Sequence, residues 1–166
     1  QNGENNYVAS LFELNGSIGS AFLDVSTGEF WLSQVDSTDA WRATHNSLTH
    51  FSPVELIMPE GSSDQYLLNI PNEIRCGLLN TKQPDWIFHN EYAKRLLIDH
   101  FDVQTLECFG VKGKDVAVSA AGSLLGYAKE TQKTSLLHID SLKVYNPSDY
   151  LNLDEGTVSN LELIRG

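Results

Sequence analysis

Three short, largely apolar runs bounded by turn residues mark the first third of the chain. Tyr7 to Glu13, Ile18 to Val25 and Glu29 to Val35 each read as a β-strand. Asn15-Gly16 and Ser26-Thr27-Gly28 separate them. Such short glycine-containing separators predict an antiparallel meander closed by tight hairpins, with Gly16 and Gly28 at positive φ. The pattern then changes. Trp41, Leu48 and Phe51 fall along one side of a helix that Asp36 or Ser37 caps and that ends near His50. Val54 to Met58 is a short, continuously apolar run of the kind that forms a strand buried on both faces.

The pattern weakens from Gly61 to Asp85, where it predicts a short helix at Asp64 to Asn69 and a strand at Glu73 to Leu78. Asp85 is then expected to cap an amphipathic helix through Phe101, with Tyr92, Leu96, Ala93 and Leu97 facing inward. Asp115 is expected to cap the strongest helix, to about Gln132, with Ala117, Ala120, Ala121, Leu124, Leu125 and Ala128 on one side. Its small residues allow close approach to a neighbour. Leu142 to Tyr145 reads as extended, Asn146-Pro147 as a turn, Tyr150 to Leu153 as a brief strand, and Asp154 as the cap of a final helix. The fold class is therefore α/β: a mixed sheet of three antiparallel and then parallel strands, flanked by helices.

Composition narrows the function. With 166 residues and 41% apolar content, one good core is expected. The 22 acidic against 11 basic residues give a net charge of -11, which repels phosphate and offers no surface for gripping nucleic acid. Cys76 and Cys108 are too few for a disulfide framework or zinc knuckle, which fits a reducing, cytoplasmic setting. No apolar run is long enough for a membrane span. The only methionine is Met58, and the helical spacing of Val158, Leu161 and Ile164 stops at Gly166, so the chain is expected to be a piece of a longer protein.

Candidate chemistry is thin. Gly113-Lys114 is the nearest approach to a phosphate-binding loop, but Asp115 stands where Ser or Thr is needed and Cys108 where the first glycine belongs. The strand order is also how ribonuclease H-like folds begin, and a metal-dependent nuclease would need converging carboxylates, for which Glu13, Asp24 and Glu60 are the candidates. Asp24, beside Ser26-Thr27-Gly28, is also explained by hairpin chemistry. His45 and His50 miss the i, i+4 spacing of helical metal ligands, and His138 with Asp140 reads as a hydrogen-bonded structural pair. Trp31, Trp41 and Trp86 sit in an acidic setting and read as core and rim aromatics rather than base-stacking platforms.

Several blocks, in order, resemble the MutS family of bacterial DNA mismatch-repair proteins: Asn5-Asn6-Tyr7, then Leu23 to Phe30, Asp85-Trp86-Ile87-Phe88, Phe109-Gly110-Val111, Ala120-Ala121-Gly122 with Leu124-Leu125 and Tyr127, Glu130 to Lys133, His138-Ile139, and Leu153 to Thr157 with Asn160 to Leu163. The resemblance covers nearly the whole chain; residues 61 to 84 match poorly, and Cys108 departs from the family pattern.

It implies a linker remnant at 1–6, a non-catalytic ribonuclease H-like connector domain at 7–146, and the truncated start of a helical core at 147–166. The expected role is to couple the mismatch-binding and ATPase parts of a longer protein and to offer a docking surface to MutL. ATP, magnesium and mismatched DNA would belong to those other parts, no cofactor or metal is expected in this fragment, and the fragment alone is expected to be monomeric. The expected docking face is Asn90, Lys94 and Arg95 on the solvent side of the Asp85–Phe101 helix; the bland reading is that these are ordinary solvated residues. A divergent metal-dependent nuclease is the competing function.

Overall fold

A computed structural model describes residues 6–153. Three strands, β1 (Val8–Leu14), β2 (Ser17–Asp24) and β3 (Glu29–Val35), form the antiparallel meander. Asn15 and Gly16 both take positive φ in the first hairpin, 53° and 86°, and Gly28 takes 83° in the second, as the turn chemistry requires. Helix α1 (Ala40–Phe51) leads to β4 (Glu55–Pro59), which pairs parallel with β1, and β5 (Leu79–Gln83) pairs parallel with β4. A two-residue strand, β6 (Lys143–Val144), adds to β3 in parallel. The sheet order is β5-β4-β1-β2-β3-β6, three antiparallel strands continued by parallel ones.

The sheet is covered on both faces, and the alternation along each strand shows why. Ala21, Leu23, Phe30, Leu32 and Ile57 point to one face, under α4 (Asn90–Phe101) and α5 (Asp115–Gln132). Phe22, Leu56 and Met58 point to the other, under α1 and the short α2 (Ser63–Leu68) and α3 (Asn72–Arg75). Helix α5 lies between the sheet and α4, and every residue from Val116 to Leu125 is buried. Its expected single inward side is thus too narrow a description. Buried Ser123 meets Ser10 of β1 at 3.1 Å, which satisfies two hydroxyls that water cannot reach.

Several boundaries differ from the sequence reading, each for a local reason. Asp36 and Ser37 do not cap α1: its N-cap is Asp39, while Ser37 Oγ accepts the Asp39 N–H and Asp36 accepts from Ser17 and Gln34. Residues 72–75, expected in a strand, form a helical turn because Pro71 starts it and its carbonyl accepts from Ile74 and Arg75. The strand begins only at Leu79 and runs through polar residues along the sheet edge, where apolar periodicity cannot reveal it. The expected helix from Asp85 is broken. Asp85–Phe88 is a 3-10 turn, His89 is extended, and Asp85 accepts the Gly61 N–H at 2.8 Å instead of capping α4.

Within α4, Ala93 and Leu97 are fully buried but Tyr92 is exposed and Leu96 half-buried. Tyr92 makes an edge contact with exposed Trp86 at 4.9 Å between ring centres. Asp115 is the first residue of α5, not its cap; Gln34 Oε1, reaching across from β3, accepts from Val116 N and Ala117 N at 2.9 and 3.1 Å. The expected strand at Tyr150 to Leu153 is part of a 3-10 helix, Pro147–Leu153, opened by Asn146 Oδ1 accepting from Ser148. Tyr150 stacks on His50 at 3.7 Å. The final helix expected from Asp154 lies outside the described residues.

Candidate functional site

The three carboxylates considered for metal chemistry do not share a place. Glu13 of β1 faces Ile18, near the first hairpin, whereas Asp24 lies one residue past the Leu23–Val8 rung, near the second. Along the strand direction that is a separation of roughly 20 Å. Glu60, exposed in a 3-10 turn after β4, is at the Glu13 end of the sheet. Among the described residues, no group of three or more His, Cys, Asp or Glu side chains is arranged to hold a metal ion.

Asp24 is fully engaged in its turn. Its carboxylate accepts from Asn6 N at 3.0 Å, Ser26 N at 2.9 Å, Ser26 Oγ at 2.7 Å and Thr27 N at 3.4 Å. Burial pushes the carboxyl pKa up, but the donors from Ser26, Asn6 and Thr27 outweigh it and hold Asp24 below its ordinary value. The folded state therefore binds this proton less readily than the unfolded chain, and the stabilisation is present above the unfolded value of about 4 and lost as pH falls through the folded one. Asp24→Asn is expected to lower stability at pH 7 by roughly 1 kcal/mol, the weight of a charge-assisted hydrogen bond partly replaced by a neutral one. In urea titrations between pH 7 and pH 2, its deficit relative to the parent should shrink below about pH 4. A deficit that stays constant with pH would show that the charge does not matter.

Three of the five histidines bond to backbone carbonyls. His138 does not pair with Asp140: its Nε2 donates to the Val25 carbonyl across the second hairpin, because the turn around Leu136, at φ 54°, swings the ring toward β2. His100 Nε2 donates to the Ile139 carbonyl at 2.7 Å, and burial lowers the ring pKa. His45 bonds the Asn69 carbonyl. The amides that a phosphate would meet at the start of α5, near Gly113-Lys114, are those of Val116 and Ala117, already bonded to Gln34.

What remains is the outer side of α4. Lys94 and Arg95 are exposed there, and Arg95 makes a loose i, i+4 pair with Asp99 at 3.7 Å, both side chains about two-thirds exposed. In that setting the pair contributes little. Asn90 differs from the other two: it is half-buried, and its Nδ2 donates to the Asp115 carbonyl at 3.0 Å, tying the start of α4 to the start of α5. The structure thus brings Lys94 and Arg95 to one exposed face and uses Asn90 as a strut beneath it.

What sequence reasoning did not single out is the glycine that sets the helix spacing. A Cβ built on Gly122 of α5 would lie 2.4 Å from the Ala93 carbonyl oxygen and 2.5 Å from the Ala93 Cα. The two backbones therefore touch, which is why Ala93 is fully buried while its neighbours Tyr92 and Lys94 are not. The Ala120-Ala121-Gly122 run was the available signal, but small residues alone do not say which neighbour approaches.

These features define the class: a ribonuclease H-like α/β domain whose candidate site is the exposed face of a helix. Comparison with known proteins gives the particular family. The family model for MutS domain II matches residues 6–140. Proteins called DNA mismatch repair protein MutS are similar along nearly the whole chain: that of Dehalococcoides mccartyi strain CBDB1 is 36% identical over 165 residues, 99% of this chain, and that of Protochlamydia amoebophila is 37% identical over 161 residues, 96% of it. The chain belongs to the MutS family and corresponds to its domain II. It spans 18% of the length of these relatives.

Proposed function

We propose that the chain works as the connector of a longer bacterial, cytoplasmic MutS protein, passing the state of the mismatch-binding and ATPase parts between them and presenting the outer face of α4 to MutL. The observation that carries the reading is how α4 is mounted. Gly122 and Ala93 put it in backbone contact with α5, Asn90 ties its first turn to Asp115, and Lys94 and Arg95 stand exposed on a surface that is otherwise mostly acidic. A helix fixed at two points on a buried neighbour moves as one body with the sheet, which suits both transmission and docking. The separation of Glu13 from Asp24, and the engagement of Asp24 in its turn, support a domain that does no chemistry of its own. The net charge of -11 supports DNA contact through other parts of the protein.

The test is binding of full-length MutS carrying this sequence, loaded with ATP on a mismatched duplex, to immobilised MutL from the same organism. Lys94→Glu with Arg95→Glu is expected to weaken binding roughly tenfold, since reversed charges at an interface rim slow association. Mismatch binding should be unchanged. Equal MutL binding by parent and variant would remove α4 from the interface.

A further inference from the structure

Beside Lys94 and Arg95 the surface folds into a groove of about 470 Å3, closed on its far side by the segment 104–113 and at its end by the first turn of α5. Its apolar lining comes from Leu106, Val111 and Val118, all buried, and from Ile98 of α4, which is half-buried and open to the groove. Three of the chain's 11 basic residues, Lys94, Arg95 and Lys112, line it. Glu107 and Asp115 line it too, so the groove carries a small positive excess in a chain of net charge -11. Among the described residues, neither Lys94 nor Lys112 has an ion-pair partner, and Arg95 pairs only with Asp99 at 3.7 Å.

We infer that this groove is the specificity pocket of the docking face, and that it takes a partner segment bringing one apolar side chain flanked by carboxylates. The inference rests on the docking role proposed above and adds to it a chemical class of partner and a residue, Lys112. The volume is in the range of clefts that hold a small ligand, roughly 300–1,000 Å3, so it has room for a side chain or two of a loop or extended segment and not for a whole helix. An apolar anchor would cover the half-buried Ile98, and carboxylates would find Lys94 and Lys112 without first breaking an ion pair. A basic segment would meet the same unpaired cations and the charge would oppose it. Lys112 lies in an exposed turn next to Gly113, which takes φ 75°, so changing its side chain leaves the fold alone.

The experiment measures association of the full-length protein with immobilised MutL across ionic strengths, for the parent, Lys112→Glu, Lys112→Arg, the Lys94→Glu/Arg95→Glu pair, and Lys82→Glu on the sheet edge as a control. Lys112→Glu is expected to slow association roughly tenfold and flatten its salt dependence, with Lys112→Arg and Lys82→Glu behaving as the parent. If the pair variant loses binding while Lys112→Glu binds normally, α4 docks MutL but the groove inference is wrong. If the parent does not bind, or all variants bind as the parent does, the docking reading fails and the groove inference falls with it.

Discussion

Phe22→Ala is expected to destabilise the domain by about 3–5 kcal/mol, toward the upper end of what removing a buried phenylalanine costs. Phe22 is fully buried on the α1 face of the sheet, stacked on Phe51 with ring centres 4.1 Å apart and planes at 13°. The ring of Tyr7 meets it edge-on at 6.5 Å, and Tyr145 lies at 6.2 Å. The cavity left behind would be walled by β2 and three aromatic rings. One of these, Tyr145, is pinned by its hydroxyl donating to Ser47 at 2.8 Å, so the walls have little freedom to close. Domains of this size have total stabilities of about 5–15 kcal/mol, so the change removes a third or more of a typical value. Thermal unfolding should shift down by about 10 °C. A loss under about 1.5 kcal/mol in urea denaturation would mean that the aromatic cluster repacks and is not the organising centre of this face.

Phe22 also shows what a sequence makes legible. It sits in a strand whose side chains alternate between two buried faces, and the meander, its two hairpins, α1 and β4 could all be read from short apolar runs and the turn residues between them. The errors fall where tertiary contact overrides local signal. The strand Leu79–Gln83 is polar because it lies at the sheet edge, so nothing in its own pattern marks it. The N-terminus of α5 looked capped by Asp115, yet the acceptor comes from Gln34, some 80 positions earlier, and no local rule reaches that far. Tyr92 fits an apolar stripe, but the close approach of Ala93 to Gly122 rotates it outward. The candidate site was legible to the same degree: exposure of Lys94 and Arg95 follows from amphipathicity, whereas the strut role of Asn90 and the arrival of Lys112 depend on how the 104–113 segment folds back.

Gly122→Ala decides between two opposed effects on the helix pair that carries the docking face. In an isolated helix, alanine in place of glycine stabilises by about 1 kcal/mol. Here the added methyl would sit 2.4 Å from the Ala93 carbonyl oxygen and 2.5 Å from the Ala93 Cα, and neither is the end of a side chain that could rotate away. Helix α4 must move outward instead, at the upper end of the 1–3 kcal/mol that overpacking costs, so the clash wins and a net loss of roughly 2 kcal/mol is expected. Gly126→Ala, one turn further along α5, is the internal control. Its methyl would meet the tip of Leu96, at 2.8 Å from Cδ1, which can turn aside, so propensity should win and the change should be neutral or slightly stabilising. Because the displacement carries Lys94 and Arg95 with it, Gly122→Ala should also weaken MutL binding at temperatures where the domain remains folded, while Gly126→Ala should not. Urea midpoints and MutL association measured on both variants separate the cases. Equal stability of the two would show that α4 is not in backbone contact with α5. A destabilised Gly122→Ala that still binds MutL as the parent does would place the docking surface away from α4.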